Sequence, residues 1–586
     1  MNHTELIPFF KERLLELLNR ESLDSYRVRY HNSMSILNEL KELIEGWCSN
    51  TIKHAQTLEY CIDETLNLID PTKDKIIDFS ACSFQRFKTY LTDYKNNITQ
   101  QEKDKKRFNN WESVKLIYII NSILKTNEDV YLDRLWDAIE NTIFADTEFS
   151  DENFIPVVSE LDILIVALAR EILNSGFSKS YAFKIIKNYN KKDDSKEEFL
   201  KFKSFFNTSI TNSYKVIFSL YINNASDYEL PNFKEELDTD ILPDELKENA
   251  RYENFISSSS NKRLYVVEVE SSDTVSAIKE AKSKLLGELD AIHIGMSSLQ
   301  VKINDRALII ELKSDSNNKA YFHPVKYTLD GQTRQNKDIS DQYRTLLSKI
   351  KQNPNIDKSA KLRLDSALRH LRIANSDVEI EQRFINYWIG LEFIFSSPLI
   401  EENTYNRLKN NLINILSVCY VERNLNDLEI ILRKRSILNE EENIESKEKI
   451  DNICSTLTNI LLKYRLKKFK SILFSNSERR KDYIKSHRYN LECHLSRIYH
   501  LRNELIHEAA IKQDIEDLTS NLKYYLTFIL NQMIYFFASW PDKKNNYLIN
   551  IDHFFYEYQR LFDNIEDNYS LKEMRKVPYQ KNIIIK

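Results

Sequence analysis

The chain has 586 residues, a formal charge of −5 at neutral pH, and 42 % hydrophobic and 29 % charged side chains. That implies roughly two to four domains of an ordinary globular protein with ample core. The acidic balance excludes a globally basic nucleic-acid coat, so any RNA contact has to be local. Only six glycines occur. No G-x-x-x-x-G-K-[ST] or G-x-G-x-x-G is present, which argues against a Walker or Rossmann nucleotide site. Cys48, Cys61, Cys82, Cys419, Cys454 and Cys493 are scattered without a C-x-x-C pair. This pattern fits a reducing cytoplasm with neither structural zinc nor a disulfide framework, and no metal or cofactor is expected. The start, Met1-Asn-His-Thr-Glu-Leu-Ile-Pro, lacks the basic and apolar stretches of a signal peptide, so a cytoplasmic location is expected.

Residues 1 to about 195 read as almost wholly helical. Apolar side chains recur at helical spacing over 9–18, 34–44, 114–124, 131–143 and 161–173. Turn signals such as Asp70-Pro71, Lys125-Thr-Asn-Glu and Asn174-Ser-Gly176 separate them. Lys103-Asp-Lys-Lys-Arg107 fits a solvated helix start, and the Lys- and Asp-rich 188–197 a linker. Residues 1–198 are taken as one helical domain without a catalytic constellation.

From 199 to 335 the period shortens. Residues 214–222 and 263–270 are β-branched or aromatic runs of strand length, and 299–303, 306–313 and 320–327 extend the pattern. Ser272-Asp-Thr caps a helix whose Ala277, Ile278, Ala281, Leu285, Leu289 and Ile292 share one face. A small α+β module is expected, with a polar loop over 240–261.

Residues 336–540 return to helix: 359–373, 379–395 (ended by Ser396-Ser-Pro398), 408–420, 425–433, 451–464 and a helix from about 489. Asp514-x-x-Asp517 opens a last one bearing Leu518, Leu522, Leu526, Ile529, Met533 and Phe536. The run 524–540 is interrupted by Thr527, Asn531, Gln532 and Ser539, so it reads as a buried helix and no membrane association is expected. Residues 437–451 are strongly acidic, a loop or a solvated helix. A tail over 541–586 holds one short helix near 553–562. The fold class is mainly α, with a helical N-terminal region, a central α+β module and a C-terminal helical bundle.

The most informative stretch lies near the end of that bundle. With Ile498 as zero on a helical wheel, Leu491, Leu495, Leu501, Leu505, Ile506 and Ala509 fall on one arc. Arg502 falls inside it, where an unpaired guanidinium is costly. His507 lies about 140° further round and roughly 7.5 Å along the axis. One straight helix cannot easily bring both side chains to one phosphate, whereas two copies about a two-fold axis could. On an upstream helix Glu392 sits between Phe384, Trp388 and Phe395 on the apolar face, which makes Glu392 and Arg502 natural ion-pair partners. His494 and His500 read as solvated or dimer-facing.

Arg502-Asn503-x-x-x-His507 resembles the R-x(4–6)-H signature of HEPN domains. The segment from Glu381 through Phe384, Trp388, Leu391 and Glu392 to Phe395 resembles the first long helix of the Apea-like branch of that family. The resemblance spans about 355–540 and implies a HEPN-type helical bundle over 336–540. It also implies a metal-independent endoribonuclease of an abortive-infection or toxin type, acting in antiviral defence. Such an enzyme leaves 2′,3′-cyclic phosphate and 5′-OH ends at a composite homodimer site, with tRNA among the candidate substrates. His507 would move the proton, Arg502 would stabilise the phosphorane charge, Asn503 would donate to phosphate, and Glu392 would orient Arg502.

Just upstream, Lys463, Arg465, Lys467, Lys468, Lys470, Arg479, Arg480, Lys481, Lys485 and Arg488 face only Glu478 and Asp482. Tyr464, Phe469, Phe474 and Tyr483 interleave with them and are candidates to stack on RNA bases. A phage-derived trigger acting through residues 1–335 is expected to gate such a nuclease. Alternatively, the bundle is a non-catalytic RNA- or nucleotide-binding module, or a helical scaffold that senses a phage component.

Overall fold

The computed structural model describes residues 6–19, 31–52, 54–103, 110–128, 130–145, 154–206, 212–223, 233–234, 252, 254–255, 262–295, 299–312, 318–325, 329, 337–376, 379–396, 403–507, 515–541 and 547–575. It is mainly helical, with one small antiparallel sheet in the middle of the chain. Two compact units emerge. One gathers Met1–Arg13, Glu21–Ala167 and Leu329–Lys586, and the other Leu14–Arg20 and Leu168–Thr328.

The first seven helices are α1 (Leu6–Leu18), α2 (Ser33–Cys48), α3 (Ala55–Leu68), α4 (Phe84–Lys103), α5 (Asn110–Asn127), α6 (Tyr131–Phe144) and α7 (Phe154–Asn174). Helices α3 and α4 add to the five segments that periodicity predicts. Helix α4 is polar along most of its length, but Phe87, Leu91, Tyr94 and Ile98 recur at helical spacing and are buried. Helix α2 opens on a capping box in which Asn32 and Ser35 satisfy each other's backbone N–H groups.

The second unit holds α8 (Lys179–Tyr189) and α9 (Lys196–Ser204), so the linker expected at 188–197 narrows to the residues between them. Its five strands are β1 (Asn212–Asn223), β2 (Phe233–Lys234), β3 (Lys262–Ser271), β4 (Gln300–Leu312) and β5 (Lys319–Pro324), in the order β2-β3-β1-β4-β5. Two strands expected at 299–303 and 306–313 are one. Between Phe218 and Leu220 the β1–β4 register slips, their partners being Ala307 and Ile303, so Asn304-Asp305 sits at a bulge and not a turn. Helix α10 (Thr274–Gly295) covers one face, packing Ala277, Ile278, Ala281, Leu285 and Leu289 on Tyr214, Val216, Phe218 and Leu220. Asp273 is buried and accepts from the backbone of Val275 and Ser276 and from the backbone and hydroxyl of Ser178, fixing the starts of α10 and α8 together. Most of the loop expected at 240–261 lies outside the described residues, as do residues 104–107 of the first basic run.

The C-terminal part of the first unit runs α11 (Lys337–Gln352), α12 (Lys358–Ala374), α13 (Ile380–Phe395), α14 (Thr404–Val418), α15 (Tyr420–Lys434), α16 (Lys447–Thr456), α17 (Ile460–Leu473), α18 (Ser477–His507), α19 (Ile515–Ser539), α20 (Ile551–Asn568) and α21 (Leu571–Met574). Gly390 lets α13 approach α19: a Cβ there would stand 2.9 Å from Leu526 Cδ2. The acidic 437–451 stretch is not simply solvated, because Leu438, Ile444 and Ile450 are buried in a cluster with Leu428, Leu432 and Leu466. The described residues of the tail are packed as well. Phe555 stacks on Phe395, Tyr558 donates to Gln532, and Arg575 pairs with Glu422.

Candidate functional site

Helix α18 is continuous for 31 residues and begins twelve residues before the expected start at 489. Asn476 caps it by accepting from the Arg479 backbone N–H. At about 1.5 Å per residue it carries the second half of the basic stretch and the Arg502 motif on one rod roughly 45 Å long. Leu491, Leu495, Ile498 and Leu501 of the expected stripe are buried, but Ile506 is 45 % exposed. The stripe therefore leaves the core before the helix ends.

Arg502 is half-buried near that end. Its Nη1 donates to Asn503 Oδ1 at 3.0 Å, while its Nε is enclosed without a hydrogen-bond partner. Among the described residues no carboxylate pairs with it. The expected Arg502–Glu392 ion pair is not formed: Glu392 Oε2 instead accepts from Trp388 Nε1 at 3.2 Å, one turn earlier on α13. The indole N–H lies on the same helical face and supplies a local donor, so Glu392 needs no cation from α18. Trp388 in turn packs on Tyr499, which stacks on Tyr405 at 4.0 Å, and these rings join α13, α14 and α18. His507 closes α18, and its side chain lies outside the described residues.

Five residues before Arg502, Arg497 is only 9 % exposed. Its Nε donates to Glu39 Oε1 at 2.5 Å and its Nη2 donates to Glu64 Oε2, which ties α18 to α2 and α3. Burial works against the Arg497 charge, but Glu39 and Glu64 outweigh it and hold the guanidinium protonated. Further along the same seam, Ser496 donates to Thr57, and Tyr60 donates to Glu492 and packs edge-on to Tyr489. Sequence reasoning missed this seam because Arg497 lies off the apolar arc.

The expectation that His494 is solvated or dimer-facing is overturned. It is buried, with Nδ1 at 2.9 Å from the Tyr525 hydroxyl and Nε2 at 3.4 Å from Asn521. Burial, helped by the Arg497 charge, lowers its pKa to about 3, so it is neutral at physiological pH. His500 stands 3.5 Å from Glu504 one turn on.

The basic stretch divides between α17 and α18. Lys463 and Lys467 lie over the Phe154 ring, Lys468 donates to Tyr464, and Lys470 pairs with Asp451. Arg480 donates to the carbonyls of Leu473, Ser475 and Tyr569, and Arg488 donates to Asn414 while resting on Phe562. Burial pulls the Arg488 pKa below the usual arginine value. Arg465 is half-buried, Lys481 is half-exposed, and Lys468, Arg479 and Lys485 face solvent. Of the interleaved aromatics, one is buried and three are half-buried. Tyr464 is buried against Phe9, Phe469 and Phe474 pack on the Leu466 cluster, and Tyr483 packs on Tyr420. Helical spacing turns them inward, where burial of a ring is favourable.

Among the described residues no group of three His, Cys, Asp or Glu side chains is placed to hold a metal ion, and no helix is long and apolar enough to cross a membrane. Comparison of the chain with protein-family models, with curated proteins and with solved structures returns no match.

Proposed function

We propose that the C-terminal end of α18 is a phosphate-binding site of a HEPN-like ribonuclease, active as a homodimer in which two copies of Arg502, Asn503 and His507 face one RNA strand. The observation that carries this reading is the state of Arg502: a half-buried guanidinium whose enclosed Nε has no partner, and whose charge meets no carboxylate, among the described residues. An enclosed donor without a partner costs about 1–3 kcal/mol. An anion from outside the chain relieves that cost, and a phosphate suits the guanidinium fork. Asn503 beside it keeps amide donors for a second phosphate oxygen. Arg479, Lys481 and Lys485 on the same helix add exposed or half-exposed positive charge several turns before Arg502.

In the reaction, the ribose 2′-oxygen attacks phosphorus as the bond to the 5′-oxygen breaks, leaving a 2′,3′-cyclic phosphate and a 5′-OH. One His507 accepts the 2′-hydroxyl proton and its twin protonates the leaving oxygen, while Arg502 meets the charge that builds on the phosphorane. The reading extends to defence against phage, with a phage component as trigger. Incubating wild-type and His507→Ala protein with total RNA in EDTA, then mapping cut ends, tests it. Cyclic-phosphate ends in the wild type and a loss of at least about a hundredfold in the variant are expected. Equal cutting by both proteins would overturn the proposal.

A further inference from the structure

A second site lies far along the sequence from α18, where the chain turns between α3 and α4. Residues 70–78 run Asp-Pro-Thr-Lys-Asp-Lys-Ile-Ile-Asp, and three aspartates four apart fix the turn. Asp70 accepts from the Thr72 backbone and hydroxyl. Asp74 accepts from the backbone of Ile76 and, on its other oxygen, from the Tyr131 hydroxyl. Asp78 accepts from the backbone of Ser80. The carboxylates are thus engaged by the loop backbone and by Ser33, Tyr131 and Arg134 of α2 and α6, and Lys73 and Lys75 are exposed where they line a cleft against α6 and α7. The cleft holds about 330 Å³, inside the range of small-molecule sites.

Its lining is of three kinds. Lys73 and Lys75 supply positive charge. Lys73 leans on Asn67, and Lys75 pairs with Glu160 at 2.7 Å, but those side chains are 66 % and 52 % exposed and such a pair contributes little. Thr72 and Thr142 bring hydroxyl oxygens that can accept, their protons going to Asp70 and the Ala138 carbonyl, while the Ser159 hydroxyl, which accepts from Tyr464, can still donate. Pro156 and Ile163 contribute apolar surface, Ile163 being 52 % exposed.

We infer that this cleft binds a nucleoside monophosphate. The phosphate lies at Lys73 and Lys75, the sugar hydroxyls meet Glu160 and the threonine and serine hydroxyls, and the flat base covers Pro156 and Ile163. The backbone of the loop is already fixed, so little ordering entropy opposes binding. Ser159 also accepts from the Tyr464 hydroxyl, which places the ligand one hydrogen bond from α17. The site is independent of the ribonuclease reading.

Titration calorimetry of the full chain with AMP, GMP, CMP and UMP, against inorganic phosphate and the free nucleosides, tests the inference. Hydrogen exchange over 70–77 and 156–164 accompanies it. At least one nucleotide is expected to bind saturably and to protect both segments, with phosphate alone and the matching nucleoside each at least about tenfold weaker. K73A/K75A and I163E substitute exposed side chains, and melting curves check that both remain folded. Each is expected to weaken binding about tenfold or more. Absence of saturable binding by all four nucleotides would overturn the inference, as would binding that both variants leave unchanged.

Discussion

Two arginines five residues apart on α18 are handled in opposite ways. Arg497 is buried and held by two carboxylates from helices that precede it by more than four hundred residues, whereas Arg502 is half-buried and, among the described residues, has only the amide oxygen of its neighbour. The first arrangement is answered by two carboxylates inside the chain, although Arg497 Nη1, like Arg502 Nε, is enclosed without a hydrogen-bond partner among the described residues. The second is open, since part of the guanidinium has left water without a counter-charge. Burial of a cation identifies a structural joint when partners surround it and a ligand site when they do not.

The contrast can be broken most directly at Arg497. Arg497→Ala leaves Glu39 and Glu64 facing each other without the cation, and a loss of about 3–5 kcal/mol is expected in urea denaturation. Arg502→Ala should move stability by no more than about 1 kcal/mol, yet lower RNA cleavage by about a hundredfold. Similar melting losses for the two variants would erase the distinction.

His494 sharpens the closed side through pH. Its folded pKa lies below that of the unfolded chain, so the unfolded state takes up more protons and stability falls as pH drops from about 6.5 toward 3. Between pH 6.5 and 5 the loss from this group is about 2 kcal/mol, and it should vanish in His494→Asn once that variant's own baseline is subtracted. A pH slope identical in wild type and variant would show that another group carries it. The smallest effect is expected at Glu392→Gln, which keeps a side-chain acceptor for the Trp388 N–H. Stability should shift by about 0.5 kcal/mol or less, with cleavage unchanged, because no ion pair with Arg502 is lost.

Much of the helical skeleton was legible from spacing alone. The period of apolar residues placed α6, α13 and α19 within a few residues of their ends, because those helices bury one continuous face. It missed the first three turns of α18, where Arg479, Arg480, Lys481 and Lys485 leave little apolar signal and an asparagine cap and the carbonyls reached by Arg480 hold the helix. The site was half legible. The wheel placed Arg502 among apolar residues, and the same wheel puts His494 about 40° to the other side of Ile498, a sign of burial that the reading passed over. The aromatic residues among the lysines were misread as a binding face because composition does not say which side of α17 meets the core.

The sequence by itself determined that the chain is mainly helical with a short β-rich interlude, and it singled out Arg502, Asn503 and His507. The helical and strand periods and the place of Arg502 follow from local spacing, whereas Asn503 and His507 stand out through the resemblance of their motif. Only the tertiary structure decided that Arg497 is paired, that Glu392 turns to Trp388, and that Arg502 meets no carboxylate among the described residues. Each depends on which distant side chain arrives first at a buried charge, and the packing of α2, α3 and α13 against their neighbours sets that outcome.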